Sequence, residues 1–272
     1  MKRLVLRLGE WLGLLAWVLG LRRAVALDGL RRAFPHLSEK ERKGIGRASY
    51  VLLGRNLAEI LLPISDEELA RAVRFDRWDL VCPEPGGKGV VVAVVHFGNF
   101  ELQARAAARR GLKVTIIART LRDLFGRWLM ADRTRTGVRQ VPERGSTGTA
   151  LEVLRRGEIL GVAIDQNMRP SRGLFVDFFG EKACTTPAAA VMALRTGARL
   201  VAVFPVRQPD DTHLVKVRGP FTTGLAGHAA IVDLTEQLTR AVEEEIRLHP
   251  DHWFWVHRRW KTRPEVASPG EV

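Results

Sequence analysis

The run Val90-Val-Val-Ala-Val-Val95 constrains the fold more than any other segment, because an unbroken apolar, valine-rich stretch of this length reads as a strand buried on both faces. Similar runs recur at Val114–Ala118, Ile159–Ile164, Leu200–Val206 and His213–Arg218. Between them lie segments with helical patterning: Glu101–Arg110, a basic stretch from Leu121 to Arg135, a helix after Ser146 that ends near Gly157, then Ala188–Thr196 and Val232–Leu248. Thr186-Pro187 supplies a cap and a first-turn proline for one of these helices, and Gly197 its stop. Strands alternating with helices predict an α/β fold in which helices cover a sheet.

The N-terminal quarter is helical instead. Leu27 to Leu62 keeps a helical pattern broken at Pro35, with Ser38 and Glu41 spaced as a capping box, and Ser65-Asp-Glu-Glu opens a further short helix. The turn-rich Pro83-Glu-Pro-Gly-Gly-Lys-Gly divides a helical arm, residues 1–82, from an α/β body, residues 83–264, and residues 265–272 are expected to be a disordered tail. Ahead of the arm, Met1-Lys-Arg precedes an apolar run from Trp11 to Leu21, shorter than the roughly 20 residues that cross a bilayer. We expect a retained helix partly inserted in a membrane surface, with Trp11 and Trp17 on its apolar side and Lys2, Arg3, Arg7, Arg22 and Arg23 among headgroups. A buried core helix is the alternative.

Lys and Arg number 43 against 30 Asp and Glu, a formal charge of +13, which suits polyanionic partners such as nucleic acid, anionic lipid or an acidic carrier protein. Nucleic acid is disfavoured, because no aromatic RNA-binding stripe, GxxG clamp or finger spacing is present. Cys82 and Cys184 are the only cysteines and form no CxxC, so neither a zinc ribbon nor a disulfide scaffold is encoded, and a reducing compartment fits.

The chemistry concentrates where the first buried strand ends, in His96-Phe97-Gly98-Asn99-Phe100-Glu101. Functional groups of open α/β sheets gather at the carboxyl ends of strands. A neutral imidazole there can take a proton from an attacking hydroxyl, and a carboxylate within reach can fix its tautomer. Gly98 lets the loop fold back so that both side chains face one cavity. Alternatively, His96 is a strand-end histidine satisfied by backbone, and Glu101 only complements a helix dipole. Metal binding lacks the further His or Cys ligands that a closed site needs. A non-catalytic lipid-binding protein would share the basic apolar arm without needing a His–Glu pair.

This block resembles the HxxxxE/D signature of the bacterial lipid A biosynthesis acyltransferases, within the lysophospholipid acyltransferase superfamily. Four other segments match that family in order and spacing: Arg31-Arg-Ala-Phe-Pro35, Gly161-Val-Ala-Ile-Asp165-Gln-Asn, Val176-Asp-Phe-Phe-Gly180 with the segment running on to Pro205, and Trp253-Phe-Trp-Val-His-Arg-Arg-Trp260-Lys-Thr-Arg-Pro264. The resemblance covers nearly the whole chain. It implies a glycerol-3-phosphate-acyltransferase-like mixed sheet flanked by helices, and a membrane-associating arm on the cytoplasmic face of the bacterial inner membrane. It further implies transfer of an acyl group from an acyl carrier protein or coenzyme A thioester to a hydroxyl of a lipid A precursor, without a covalent enzyme intermediate. Acylation of a phosphatidylinositol mannoside or another glycolipid or phospholipid is the alternative.

In that scheme His96 is the general base and Glu101 orients and charges it, with no metal or cofactor. The absence of a GxSxG elbow agrees with direct attack by the acceptor. An oxyanion donor is expected from Arg133 or Arg135, with Gly98 and Asn99 as further candidates. Asp165 either faces the same cavity or, as the residues alone favour, serves as a helix cap or a partner of Arg169 or Arg172. Phe97, Phe175, Phe178 and Phe179 are candidates for lining an acyl pocket. Trp253, Trp255 and Trp260, interleaved with cations, suit a membrane interface or a packed C-terminal strand.

Overall fold

The computed structural model describes residues 2–119 and 123–264; the expected tail and the start of the basic segment after Leu121 lie outside the described residues. In chain order the helices are α1 (Lys2–Val18), α2 (Arg23–Ala33), α3 (Glu39–Leu61), α4 (Asp66–Ala72), α5 (Trp78–Val81), α6 (Phe100–Arg109), α7 (Leu124–Arg135), α8 (Thr147–Arg155), α9 (Ala188–Thr196) and α10 (Gly227–Leu248). The strands are β1 (Val73–Phe75), β2 (Val90–Val94), β3 (Val114–Ala118), β4 (Val138–Pro142), β5 (Ile159–Ala163), β6 (Leu174–Phe178), β7 (Glu181–Thr185), β8 (Arg199–Arg207) and β9 (His213–Arg218).

A seven-stranded sheet runs β1-β9-β8-β2-β5-β3-β4, and β6 and β7 form a separate hairpin. Every neighbouring pair in the large sheet is parallel except β8 and β9. The expected α/β architecture is therefore present, with β2 near the centre between β8 and β5. The long C-terminal helix starts at Gly227 rather than Val232, and three elements carry no strong strand signal of their own. Of these, β1 and β4 are the sheet's two edges, and β4 ends in Pro142, a residue tolerated where no neighbour needs its missing N–H. The third, the β6–β7 hairpin, turns through Phe179 and Gly180, both at positive φ.

The arm is less separate than its sequence implies. β1 lies within residues 1–82 and joins the sheet beside β9, and Ala26, Leu27, Leu30 and Phe34 share one buried cluster with β2, β5 and β8. The capping box of Ser38 and Glu41 opens α3, along which α1 lies. That contact needs glycine: a Cβ on Gly13 would overlap the Tyr50 carbonyl oxygen, and one on Gly54 the Gly9 carbonyl oxygen. Trp17 is buried edge-on against Tyr50, so it is not part of an inserted face, whereas Trp11 is 69% exposed. Among the described residues no single helix is long and apolar enough to cross a membrane, and α1 and α2 meet at a bend of 86°.

Candidate active site

Side chains alternate along a strand, so Val92 and Val94 of β2 point to the face opposite Val91, Ala93 and Val95. His96 is the next residue in the Val92–Val94 register. On β5 the same face carries Ile159, Gly161 and Ala163, and Asp165 continues that register beyond the strand end. The pairing of Val90 with Ile159 and Val94 with Ala163 therefore brings His96 opposite Asp165. Two strand ends deliver the pair without help from a helix.

The Asp165 carboxylate is buried and fully engaged. Oδ1 lies 2.8 Å from His96 Nδ1, while Oδ2 accepts from the His96 backbone N–H and from Trp253 Nε1, each at 2.9 Å. Burial alone would raise its pKa, but the imidazole and these donors hold it below the ordinary carboxylate value. For His96, burial disfavours the charged ring, yet Asp165, with a smaller contribution from Glu101, outweighs this and raises its pKa. An ionised carboxylate can only accept, so the ring proton sits on Nδ1 and the Nε2 lone pair points outward. Nε2 faces the side-chain nitrogen of Gln166 at 3.2 Å.

Glu101 does not hydrogen-bond to His96, which corrects the expectation that it fixes the tautomer. Its carboxylate forms a two-point pair with Arg133, one contact at 3.0 Å from Nε to Oε2, and Arg133 Nη1 donates to Gln140 at 2.6 Å. The pair is buried and binds the first turn of α6 to the end of α7. Arg135 instead turns outward, exposed, onto Asp132, so of the two expected arginines only Arg133 lies at the site. Asp165, for which a cap or an Arg169 or Arg172 pair was favoured, is instead the imidazole's partner.

Two other assignments change. The Gly98 N–H donates to the His252 carbonyl at 2.8 Å, and Asn99 caps α6 at Leu102 N while giving its amide N–H to Glu59 at 2.8 Å. Neither group is aimed at substrate. Glu59 is also held by Arg207 and His213; burial would raise its pKa, and these partners bring it down to about 2. Gly98 is required by shape, with φ at +50° and the Pro205 carbonyl oxygen where a Cβ would go.

An apolar cavity of about 780 Å³, counted out to its open mouth, lies between the sheet and α6. His96, Glu101 and Arg133 line it together with Val92, Val94, Ile116 and Val203. None of the four expected phenylalanines lines it. Phe97 is buried against Phe204, and Phe178 and Phe179 pack in the opposite core with Trp253, Trp260 and Phe34. Phe175 lies on the hairpin strand β6, whereas Phe100 and Phe75 supply the cavity's aromatic surface.

The C-terminal segment was expected at a membrane interface or in a strand and is neither. Trp253, Trp255 and Trp260 are buried, and the segment clamps both strand ends. Phe254 N donates to the His96 carbonyl at 3.0 Å. Asn167 N donates to His257 Nε2 at 2.8 Å, and Thr262 and Asn167 exchange two bonds of 2.9 Å. Burial pushes the His257 pKa down to about 4, so its ring is a neutral acceptor at neutral pH. The Trp-rich motif and the Asp-Gln pair are both visible in the sequence, but that one holds the other is not.

A buried acid–imidazole pair at the carboxyl ends of parallel strands, beside an apolar cavity, defines a class: enzymes in which a histidine serves as general acid–base. Residues 2–262 match the family described as bacterial lipid A biosynthesis acyltransferase, and the chain belongs to that family; it is an acyltransferase. It is 27% identical to the Lipid A biosynthesis lauroyltransferase of Escherichia coli, over 96% of this chain and 86% of that protein. Its identity is 26% to the palmitoleoyltransferase of the same organism, over 91% and 81%, and 25% to a lipid A biosynthesis acyltransferase of Haemophilus influenzae, over 91% and 80%.

Proposed function

We propose that the chain moves a fatty acyl group from an acyl thioester to a hydroxyl of a lipid A precursor, at the cytoplasmic face of the bacterial inner membrane. One observation carries this reading: His96 lines the apolar cavity with Nδ1 bonded to buried Asp165, which leaves Nε2, facing only the Gln166 amide, as the basic nitrogen. The cavity takes the acyl chain, so the thioester carbonyl lies near His96. Nε2 accepts the acceptor's hydroxyl proton as the oxygen attacks, and Asp165 stabilises the imidazolium that forms. The same proton then goes to the departing thiolate. Glu101 acts through Arg133, fixing the first turn of α6 and the wall of the site, which makes it a positioning residue. No metal or cofactor is invoked, and the fold reading that goes with this chemistry is the glycerol-3-phosphate-acyltransferase type.

The lipid A acceptor is inferred from the names of the relatives, and the +13 charge favours an acidic acyl carrier protein over coenzyme A as donor. Membrane association is supported by α1, where Leu4, Leu8, Trp11, Leu12 and Leu15 form one exposed apolar stripe flanked by Lys2, Arg3 and Arg7. The deciding experiment incubates purified protein with lauroyl-acyl carrier protein, or lauroyl-coenzyme A, and a lipid A precursor in anionic phospholipid vesicles. Mass spectrometry should detect one added acyl chain with wild type and none with His96→Ala. Equal product from the two proteins would refute the base assignment, and no product from any donor would refute the acceptor.

A further inference from the structure

We infer that Gln166 is a further catalytic residue, whose amide N–H guards His96 Nε2 in the resting enzyme and becomes a hydrogen-bond donor to the thioester oxygen when the acceptor hydroxyl displaces it. This rests on the reading of His96 as the base.

An oxyanion needs a donor beside the reacting carbonyl, and the side-chain donors that the sequence nominates, together with the Gly98 N–H, are engaged elsewhere. Gly98 N–H is bonded to His252, the Asn99 amide to Glu59, Arg133 to Glu101 and Gln140, and Arg135 to Asp132. Gln166 differs. Its side-chain nitrogen is 3.2 Å from the reacting nitrogen, and among the described residues its amide has no other hydrogen-bond partner. The orientation follows from chemistry: with the ring proton on Nδ1 facing Asp165, Nε2 carries a lone pair, and only the NH2 end of the amide can face it.

The backbone that carries Gln166 is fixed on every side. Asp165 is bonded to Trp253, the Gln166 carbonyl accepts from Arg259 at 3.5 Å, and Asn167 is held by His257 and Thr262. The clamp bonds the backbone of the turn, whereas the Gln166 side chain has only its contact with His96 among the described residues. Once an acceptor hydroxyl occupies Nε2, the displaced amide lies within a side-chain rotation of the carbonyl that the hydroxyl attacks.

The step balances without any further reactant. The acceptor oxygen bonds to the thioester carbon while its proton passes to Nε2, and the carbonyl π pair moves onto oxygen, which accepts from Gln166. On collapse that pair re-forms the carbonyl, the C–S bond breaks, and the thiolate takes the proton from the imidazolium, giving ester and free thiol.

The test compares Gln166→Met, similar in volume but without an N–H, with wild type and His96→Ala, using lauroyl-acyl carrier protein and a lipid A precursor. Loss of one such donor lowers kcat by about 10²–10³ with little change in KM. The pH profiles separate this role from a structural one. The groups facing His96 are Asp165, Glu101, Arg133 and His257, and none changes in the variant. In free enzyme the Gln166 bond favours neutral imidazole, so its loss moves the acid limb of kcat/KM to higher pH. In the substrate complex the amide has already left Nε2, so the acid limb of kcat stays in place.

A kcat within threefold of wild type, or equal shifts of both limbs, overturns the assignment. Should Gln166→Met fail to fold, Gln166→Leu also lacks the N–H and adds no charge beside His96, and the same kcat loss is expected. Failure of both to fold makes the residue structural and also overturns it. An active His96→Ala sinks the base reading, whereas an inactive His96→Ala beside an active Gln166→Met sinks this inference alone.

Discussion

On one face of the central strands, Val91, Ala93 and Val95 around β2 and Leu160, Val162 and Ile164 around β5 join a continuous core with α2, α9, α10 and the buried tryptophans. On the other face Val92 and Val94 and, across the ladder, Ile159, Gly161 and Ala163 line the cavity beneath α6, with Val92 and Ile159 also part of a second, smaller core. The two faces have nearly the same composition. They differ in what covers them: one is filled by the buried tryptophans and phenylalanines, whereas on the other Leu102 and Ala106 of α6 close a second core and Ala104 and Ala107, with Phe75 and Phe100, leave a cavity beside it. A sheet that is stable because one face is packed can leave the other hollow, and both catalytic candidates stand on the hollow register.

The sharpest break of this comparison is at the pair that ends the hollow register. Asp165→Asn keeps the size of the side chain but removes the charge and allows the wrong tautomer, which should lower kcat by about 10⁴. The pH profile gives the sign. His96 works as neutral base, and Asp165 raises its pKa, so wild-type kcat/KM climbs through a limb above the ordinary histidine value; without the carboxylate the residual activity should climb at lower pH. A variant with an unmoved limb would mean that Asp165 does not set the base.

Much of this was legible before any coordinates. The unbroken apolar run Val90–Val95 gives a strand buried on both faces, and the position of His96 just past it gives a site. The choice between Glu101 and Asp165 as its partner was not legible, because it depends on the register between β2 and β5, two strands separated by a helix, two more strands and a further helix pair in the chain. Nor could the phenylalanines be assigned. Phe178 and Phe179 lie within a family-like motif, but which side of the sheet a hairpin packs on is set by long-range contacts with α10 and the C-terminal clamp. Glu101 was correctly placed near the site and wrongly paired, since nothing local reports that α7 brings Arg133 to it.

That pair supplies the next effect. Glu101→Gln leaves Arg133 buried without its carboxylate, and the loss of one partner of a buried pair costs about 3–5 kcal/mol, readable by urea unfolding. If Glu101 acts on chemistry only by positioning Arg133, the double variant Glu101→Gln/Arg133→Met should show the kcat of the worse single variant, not the product of two losses. Multiplicative losses would give Glu101 a direct role.

Packing itself distinguishes the faces. Leu160→Ala empties a filled site and should destabilise the protein by about 2–5 kcal/mol while leaving the kcat of folded enzyme nearly intact. Val92→Ala, on the hollow face, removes methyl groups that already border open space, so a cost of about 1 kcal/mol or less is expected, with a larger change in KM than in stability. Equal costs at the two positions would mean that the cavity is collapsed in solution.

The smallest effect is the most specific to function. Gly161 lies mid-strand on the cavity floor, and a Cβ added there would come within 3.0 Å of Ile116 Cγ2 and 3.5 Å of Val94 Cγ2, both cavity walls. A glycine in a central strand costs stability relative to a branched residue, so its presence here makes sense if the missing side chain is what keeps the channel open. Gly161→Val should therefore hold or raise the thermal midpoint, if Ile116 can give way, while shortening the space for the chain. Competition between long and short acyl thioesters, scored by product mass, should shift about tenfold toward the shorter donor, equivalent to about 1.4 kcal/mol of lost apolar contact. An unchanged product ratio, with the protein folded, would place the acyl chain outside this cavity and leave the hollow face without its ligand.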